Sequence, residues 1–260
     1  MAELWLAGTT GVQSLPAPGG QLRVEAYFAA GAEPDLDVPA GVVLQSSEAL
    51  PDADWLASYR EQARPFPVGR TLFVDPREPG ETPAEVPAGR RLLRLPARAA
   101  FGTGSHESTA LALELLEDLD LRGRRVLDVG TGTGVLAFAA LLQGARLAVG
   151  FDVDPAAPFH ARDNGVLNGL RPLLFAGRLA ALREGPRFDL ALVNVVPEEI
   201  LPEMGALIRL LHPRGEAILS GILAERGPEV LERMGSLGFV ERSRREAGEW
   251  LALRVGRRTV

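Results

Sequence analysis

The chain has 260 residues, of which 46% are hydrophobic, 24% charged and 6% aromatic; this suits one large α/β domain, or a standard domain with a small companion, and is too apolar for disorder. It contains no Cys, which excludes disulfides, thiolate metal sites and cysteine nucleophiles. The longest apolar run, Val135 to Leu142, is far short of a membrane span, and the opening MAELWLAGTT has no signal-peptide core, so a cytoplasmic protein without membrane contact is expected.

The net charge of −6 is unevenly divided. Residues 1–85 carry thirteen acids and five Arg, a net of −8, and residues 86–260 carry twenty-one acids and twenty-three Arg, a net of +2. An acidic first third suits a basic protein partner and argues against direct nucleic-acid binding; equally, surface acids keep a protein in solution.

In chain order, Gln21–Phe28 alternates as a strand does, and Val42–Leu44 is a second candidate. Asp52–Ala63 has a helical pattern, with Asp52 as N-cap and Trp55 and Tyr59 on one face. The segment 65–89 is so rich in Pro and Gly that it reads as a linker between lobes. Beyond it the rhythm changes. A helix is predicted over Thr109–Leu121, a strand over Arg125–Val129, a helix from Val135 to Gln143 closed by Gly144, and a strand over Leu147–Phe151. Pro155 opens the next helix, Phe188–Asn194 and Ala217–Leu219 are further strands, Ala224–Leu237 is a helix, and Phe239–Arg242 with Trp250–Val255 form a terminal strand pair. Apolar strands alternating with helices predict an α/β, doubly wound, mostly parallel sheet.

The chemistry concentrates where strands meet glycines. Asp128-Val-Gly130-Thr-Gly132-Thr-Gly134 lies between a strand and a helix, and its glycines allow a sharp turn and close approach of a ligand to backbone N–H groups. Nucleotide and dinucleotide folds share such loops, but a carboxylate at position 128 repels a pyrophosphate and attracts a cation. S-adenosylmethionine, with an ammonium, a sulfonium and no phosphate, fits that requirement. Asp152, eighteen residues after Gly134, can accept hydrogen bonds from ribose hydroxyls, and Asp154 is placed to cap the next helix. Asn194 ends a strand where open α/β sheets bind ligands; it can present its side chain to a nucleophilic amine or simply form a turn. The segment Phe101–Thr109 (FGTGSHEST) reads as a loop closing over a ligand, bringing Phe101, Gly102 and His106 to the cofactor. Three His without ligand spacing, and no Cys, exclude a metal centre.

These segments, with the ending GEWLALRVGR, DADWLASYREQARP at 52–65 and LSGILAERGPEV at 219–230, resemble the bacterial ribosomal protein L11 methyltransferase family, PrmA, from about residue 50 onward. The resemblance implies a Rossmann-like methyltransferase sheet with a small N-terminal α+β lobe. It places Thr109, Gly130, Asp152 and Asn194 at cofactor-binding positions. It also implies methyl transfer from S-adenosylmethionine to amino groups of ribosomal protein L11, a basic protein partner. On this reading residues 1–64 are a shortened substrate-recognition lobe, 65–89 the linker and 90–260 the methyltransferase domain. Three departures fall on the acceptor side: Pro96–Ala100 replaces the family's proline-glycine, Ser108 replaces Thr, and Val195–Glu199 follows Asn194. A methyltransferase for a small molecule or another protein therefore stays open, as do an NAD-dependent oxidoreductase and a non-catalytic cofactor-binding module. All twenty-eight cationic residues are Arg, which a GC-rich genome explains, as would an enzyme that acts on lysine and spares itself.

Overall fold

The computed structural model describes residues 11–17, 21–28, 41–47, 63–96 and 104–258. The chain divides into two compact units, residues 1–54 and 55–260. In the first, β1 (Gly11–Ala17) and β2 (Gln21–Tyr27) form an antiparallel hairpin in which Gly11 faces Tyr27 and Ala17 faces Gln21. The strand expected at Val42–Leu44 is not formed: these residues are exposed and irregular, and no strand among the described residues pairs with their backbone. Positions 52–62 of the predicted helix lie outside the described residues.

The second unit corrects the linker reading of 65–89. Phe66–Val68 (β3) and Leu72–Asp75 (β4) pair antiparallel, and β4 pairs parallel with Arg91–Arg94 (β5). Pro67 is tolerated because β3 is an edge strand, where a missing N–H breaks no ladder. Val68, Leu72, Val74, Leu93 and Leu95 are buried in the core of the unit, each contributing about 1.5–3 kcal/mol of apolar burial. The Pro- and Gly-rich remainder is held by Asp75. Its fully buried carboxylate takes a two-pronged hydrogen bond from the Arg77 guanidinium and one from the Ala84 N–H. Burial opposes its ionisation, but these donors outweigh that and hold its pKa below the usual value.

The main sheet has seven strands in the order β11-β12-β10-β9-β6-β7-β8: β6 (Arg125–Val129), β7 (Leu147–Asp152), β8 (Leu173–Ala176), β9 (Phe188–Asn194), β10 (Leu211–Leu223), β11 (Phe239–Ala247) and β12 (Trp250–Arg257). Only β12 runs against the others. Alternate residues of β9 enter opposite cores, Leu190 and Leu192 on one side and Ala191 and Val193 on the other. On the first side lie α1 (Glu107–Glu117) and α2 (Val135–Leu142), with the three-stranded sheet. On the second lie α4 (Pro197–Ile200), α5 (Met204–Arg209) and α6 (Gly227–Ser236), while α3 (Ala156–Asn168) packs beside β7 and β8. Hydrogen bonds to the neighbouring helices pin the small sheet. Glu117 of α1 accepts from Arg70 N, Thr71 N and Thr71 Oγ1, and Asn168 of α3 exchanges two 2.7 Å hydrogen bonds with the backbone of Arg94.

Candidate active site

The carboxyl ends of β6, β7, β9 and β10 meet at one edge of the sheet, and the chemistry-bearing residues gather there. After β6 the backbone reverses through Gly130, Gly132 and Gly134, all with positive φ. A Cβ at Gly130 would stand 2.5 Å from Val195 Cγ1, and one at Gly134 would stand 2.7 Å from the Phe138 ring, so the turn closes only with glycine at both. Thr131 N donates to Phe151 O and Gly134 N to Thr131 O, which fixes the turn against β7 and starts α2.

Asp128 is buried beneath this turn. Its Oδ2 accepts from Thr131 Oγ1 at 2.7 Å and from Ala137 N at 3.2 Å, so the carboxylate anchors both the turn and the first part of α2. Its Oδ1 is buried and has no partner among the described residues. Burial pushes its pKa up to about 6; the two hydrogen bonds pull it down, and the nearby Asp152 charge pushes it up again. An orphaned, buried carboxylate oxygen is what a cationic group would relieve.

Asp152, the last residue of β7, accepts from Gly132 N at 2.9 Å through Oδ2 and from Asp154 N at 3.0 Å through Oδ1. Each oxygen retains accepting capacity, which suits a vicinal diol. Asp154 Oδ1 accepts from Ala156 N at 2.8 Å, as expected of a cap at the start of α3.

Asn194 Nδ2 donates to Thr109 Oγ1 at 3.0 Å, bringing together two residues eighty-five positions apart. Its Oδ1 is also buried and unpartnered among the described residues. Gly221, with φ +74°, leaves the room: a Cβ there would lie 3.0 Å from Val195 O and 3.3 Å from Asn194 Oδ1. His106 caps α1, its Nδ1 accepting from Ser108 N, and its ring meets Trp250 edge-on at 4.7 Å. His106 is thus the N-cap of α1; Phe101 and Gly102 lie outside the described residues. No cluster of three His, Cys, Asp or Glu able to hold a metal occurs among the described residues.

Thr131 and Ser220 were not singled out by sequence reasoning. Ser220 Oγ donates to Ser108 O at 2.7 Å and ties α1 to β10, a contact between residues 112 positions apart that no local pattern announces. Thr131, by contrast, lies inside the glycine motif itself.

The carboxyl edge of the sheet brings together two neighbouring carboxylates, a tight glycine turn and a carboxamide. The residues present fit S-adenosylmethionine: Asp128 holds a buried oxygen that has no partner among the described residues and would welcome a cation, and Asp152 keeps accepting capacity for ribose hydroxyls. The family model described as ribosomal protein L11 methyltransferase (PrmA) matches residues 24–258. The ribosomal protein L11 methyltransferase of Deinococcus radiodurans is 37% identical over 98% of this chain and 92% of its own, and that of Geobacter sulfurreducens is 40% identical over 78% and 66%. Similarity thus reaches well before residue 50, further than the motifs alone indicate. The crystal structure of a ribosomal protein L11 methylase from Lactobacillus delbrueckii subsp. bulgaricus superposes with a TM-score of 0.69 at 30% identity, covering 75% of this chain and 99% of that one. The chain belongs to the ribosomal protein L11 methyltransferase family.

Proposed function

We propose that this chain transfers methyl groups from S-adenosylmethionine to amino groups of ribosomal protein L11, on lysine side chains, the N-terminus or both, in the cytoplasm. The observation that carries the reading is the pair Asp128 and Asp152, ending adjacent strands on either side of the glycine turn, with Asn194 on the next strand. When bound, S-adenosylmethionine would supply an electrophilic methyl group, the new N–CH3 bond forming as the S–CH3 bond breaks and the sulfur leaves as the neutral thioether of S-adenosylhomocysteine. Asp152 holds the ribose hydroxyls, and Asp128 Oδ1 receives the amino group. Asn194, steadied by Thr109 at the carboxyl end of β9, is the residue we assign to orienting the amine; alignment of this kind supplies most of the acceleration in such a displacement. A lysine amine, with a reference pKa of about 10.4, must shed its proton first. Asp128, already engaged by Thr131 and Ala137, is too weak a base for that, so the rate should climb as pH rises toward the amine's pKa.

Residues 1–64 serve as the substrate-recognition lobe in this reading, their acidity complementing a basic acceptor. The test is a methyl-transfer assay with labelled S-adenosylmethionine and purified large-subunit ribosomal proteins, followed by mass spectrometry of the modified positions. Labelling of L11 at amino groups supports the reading. Cofactor binding without labelling of L11 at low salt overturns the acceptor, and preferential binding of NAD overturns the cofactor.

A further inference from the structure

The end of the sheet opposite the cofactor turn carries a row of cations. Arg124 precedes β6, Arg146 precedes β7, Arg171 lies two residues before β8 and Arg187 precedes β9. Arg214 lies in the bulge of β10 between Leu211 and Glu216, and Arg258 follows β12. The pairing puts these six at the same edge: Arg146 N donates to Arg124 O, Arg187 N to Leu210 O and Arg258 N to Gly238 O, while Val149 faces Leu173 and Phe239 faces Arg257. They come from six consecutive strands of the sheet, β12-β10-β9-β6-β7-β8. At about 4.8 Å between strands the row is about 24 Å long.

Arg146, Arg171, Arg214 and Arg258 are exposed, and Arg124 and Arg187 are half-buried. None of the six forms an ion pair within 4.0 Å among the described residues, although Arg124 lies in the field of Asp120 and Arg187 Nε donates to Arg183 O at 3.0 Å. The carboxylates at this end are otherwise engaged: Asp120 with Arg122 at 2.7 Å, Glu216 with Arg254 at 3.5 Å, Glu184 with Arg209 at 4.0 Å, and Asp189 with the Arg125 N–H at 2.8 Å. Compensation of helix C-termini accounts for cations that follow helices, but not for Arg124 at the start of β6 or Arg258 after β12. We propose that this arginine row is a docking surface for the phosphate backbone of double-stranded RNA. Fixed positive charges in a row match the repeated negative charge of a phosphate backbone. Among the described residues, the aromatic rings at this end, Phe188 and Phe239, are buried under Arg125 and Arg257 and offer no platform on which single-stranded bases could stack. The acidity of residues 1–85 masks this surface in any whole-chain charge count. For an enzyme whose acceptor is a ribosomal protein, the surface provides affinity for the RNA-rich surroundings of that acceptor without using the active site.

The experiment measures binding of a fluorescent RNA duplex to the full chain by anisotropy across a salt series. Low-salt binding is expected, with log affinity falling linearly with log salt. The triple variant R146A/R171A/R214A should bind more than about 10-fold more weakly, with a slope shallower by about three, while R146K/R171K/R214K retains most of the affinity. S-adenosylmethionine affinity should be unchanged in both, which certifies the fold; if the triple alanine variant does not fold, each single variant should lower the slope by about one. Absence of duplex binding at low salt, equal binding by the alanine variants, or tighter binding of polyglutamate or anionic phospholipid vesicles than of the duplex overturns the proposal.

Discussion

Asp128 costs the fold stability, and its proposed place at the cofactor makes that cost testable. Its carboxyl, with an ordinary value of 3.8, is pushed to about 6 in the fold, mainly by burial. A raised acid favours folding fully below its unfolded value and loses that contribution as pH rises through the folded value, so the cost develops between about pH 4 and 6. Two pKa units correspond to about 3 kcal/mol at neutral pH. Asp128→Asn keeps an oxygen for Thr131 and Ala137 but removes the charge. It should therefore raise the melting temperature at pH 7.5, with the gain vanishing near pH 4, as read by thermal denaturation. The same substitution should weaken S-adenosylmethionine binding about 10- to 100-fold, the loss of one charge-assisted hydrogen bond. In the unsubstituted protein, calorimetry should show affinity increasing from pH 5 to 7 as Asp128 ionises. Asp152→Ala should also lower affinity, because it removes the ribose acceptor together with the anchor of Gly132. Unchanged binding in that variant would remove Asp152 from the cofactor site.

At the scale of elements, the glycine turn and the first turn of α1 can be perturbed separately. Gly130→Ala imposes a left-handed backbone on a residue with Cβ and drives it onto Val195, so denaturant unfolding should show a loss of about 2 kcal/mol or more. Adding Val195→Ala should recover the steric part and leave the backbone strain. His106→Ala should cost α1 about 1 kcal/mol, and His106→Asp should restore it by supplying another acceptor to Ser108 N. The same elements explain what could be read in advance. β9 falls on Phe188–Asn194 as expected because a continuous apolar run bounded by polar residues has one reading. β8 was missed because it is a short, half-exposed edge strand. α4 and α5 were missed because Pro197 and Pro202 punctuate a segment of short helical turns. The strands β3 and β4 were hidden by Pro67, Gly69 and Pro76, whose order depends on Glu117 and Asp75, partners that local sequence does not reveal. At the site, Asp128, Asp152 and the glycines stood out from their motif. The Asn194–Thr109 and Ser220–Ser108 contacts did not, because they exist only once distant segments fold together.

For the whole molecule, the division into units decides where the substrate-recognition proposal should be tested. A cut at residue 85 would remove β3 and β4, taking Val68, Leu72 and Val74 out of the core that also contains Leu113, Leu116 and Phe138. It would also leave Glu117 without the backbone donors of Arg70 and Thr71. A protein so truncated should fail to fold, and its inactivity would say nothing about the acceptor. A cut after Asp54 follows the boundary between the compact units. The chain 55–260 should therefore retain S-adenosylmethionine binding within about threefold of the full chain, measured by calorimetry, and lose methyl transfer to ribosomal protein L11. In the full chain, transfer should slow as salt rises, since complementary charge acts mainly on encounter and is screened beyond about 8 Å at physiological ionic strength. Undiminished transfer by 55–260 would move substrate recognition onto the methyltransferase unit itself, with Val195–Glu199 beside Asn194 as the first segment to substitute.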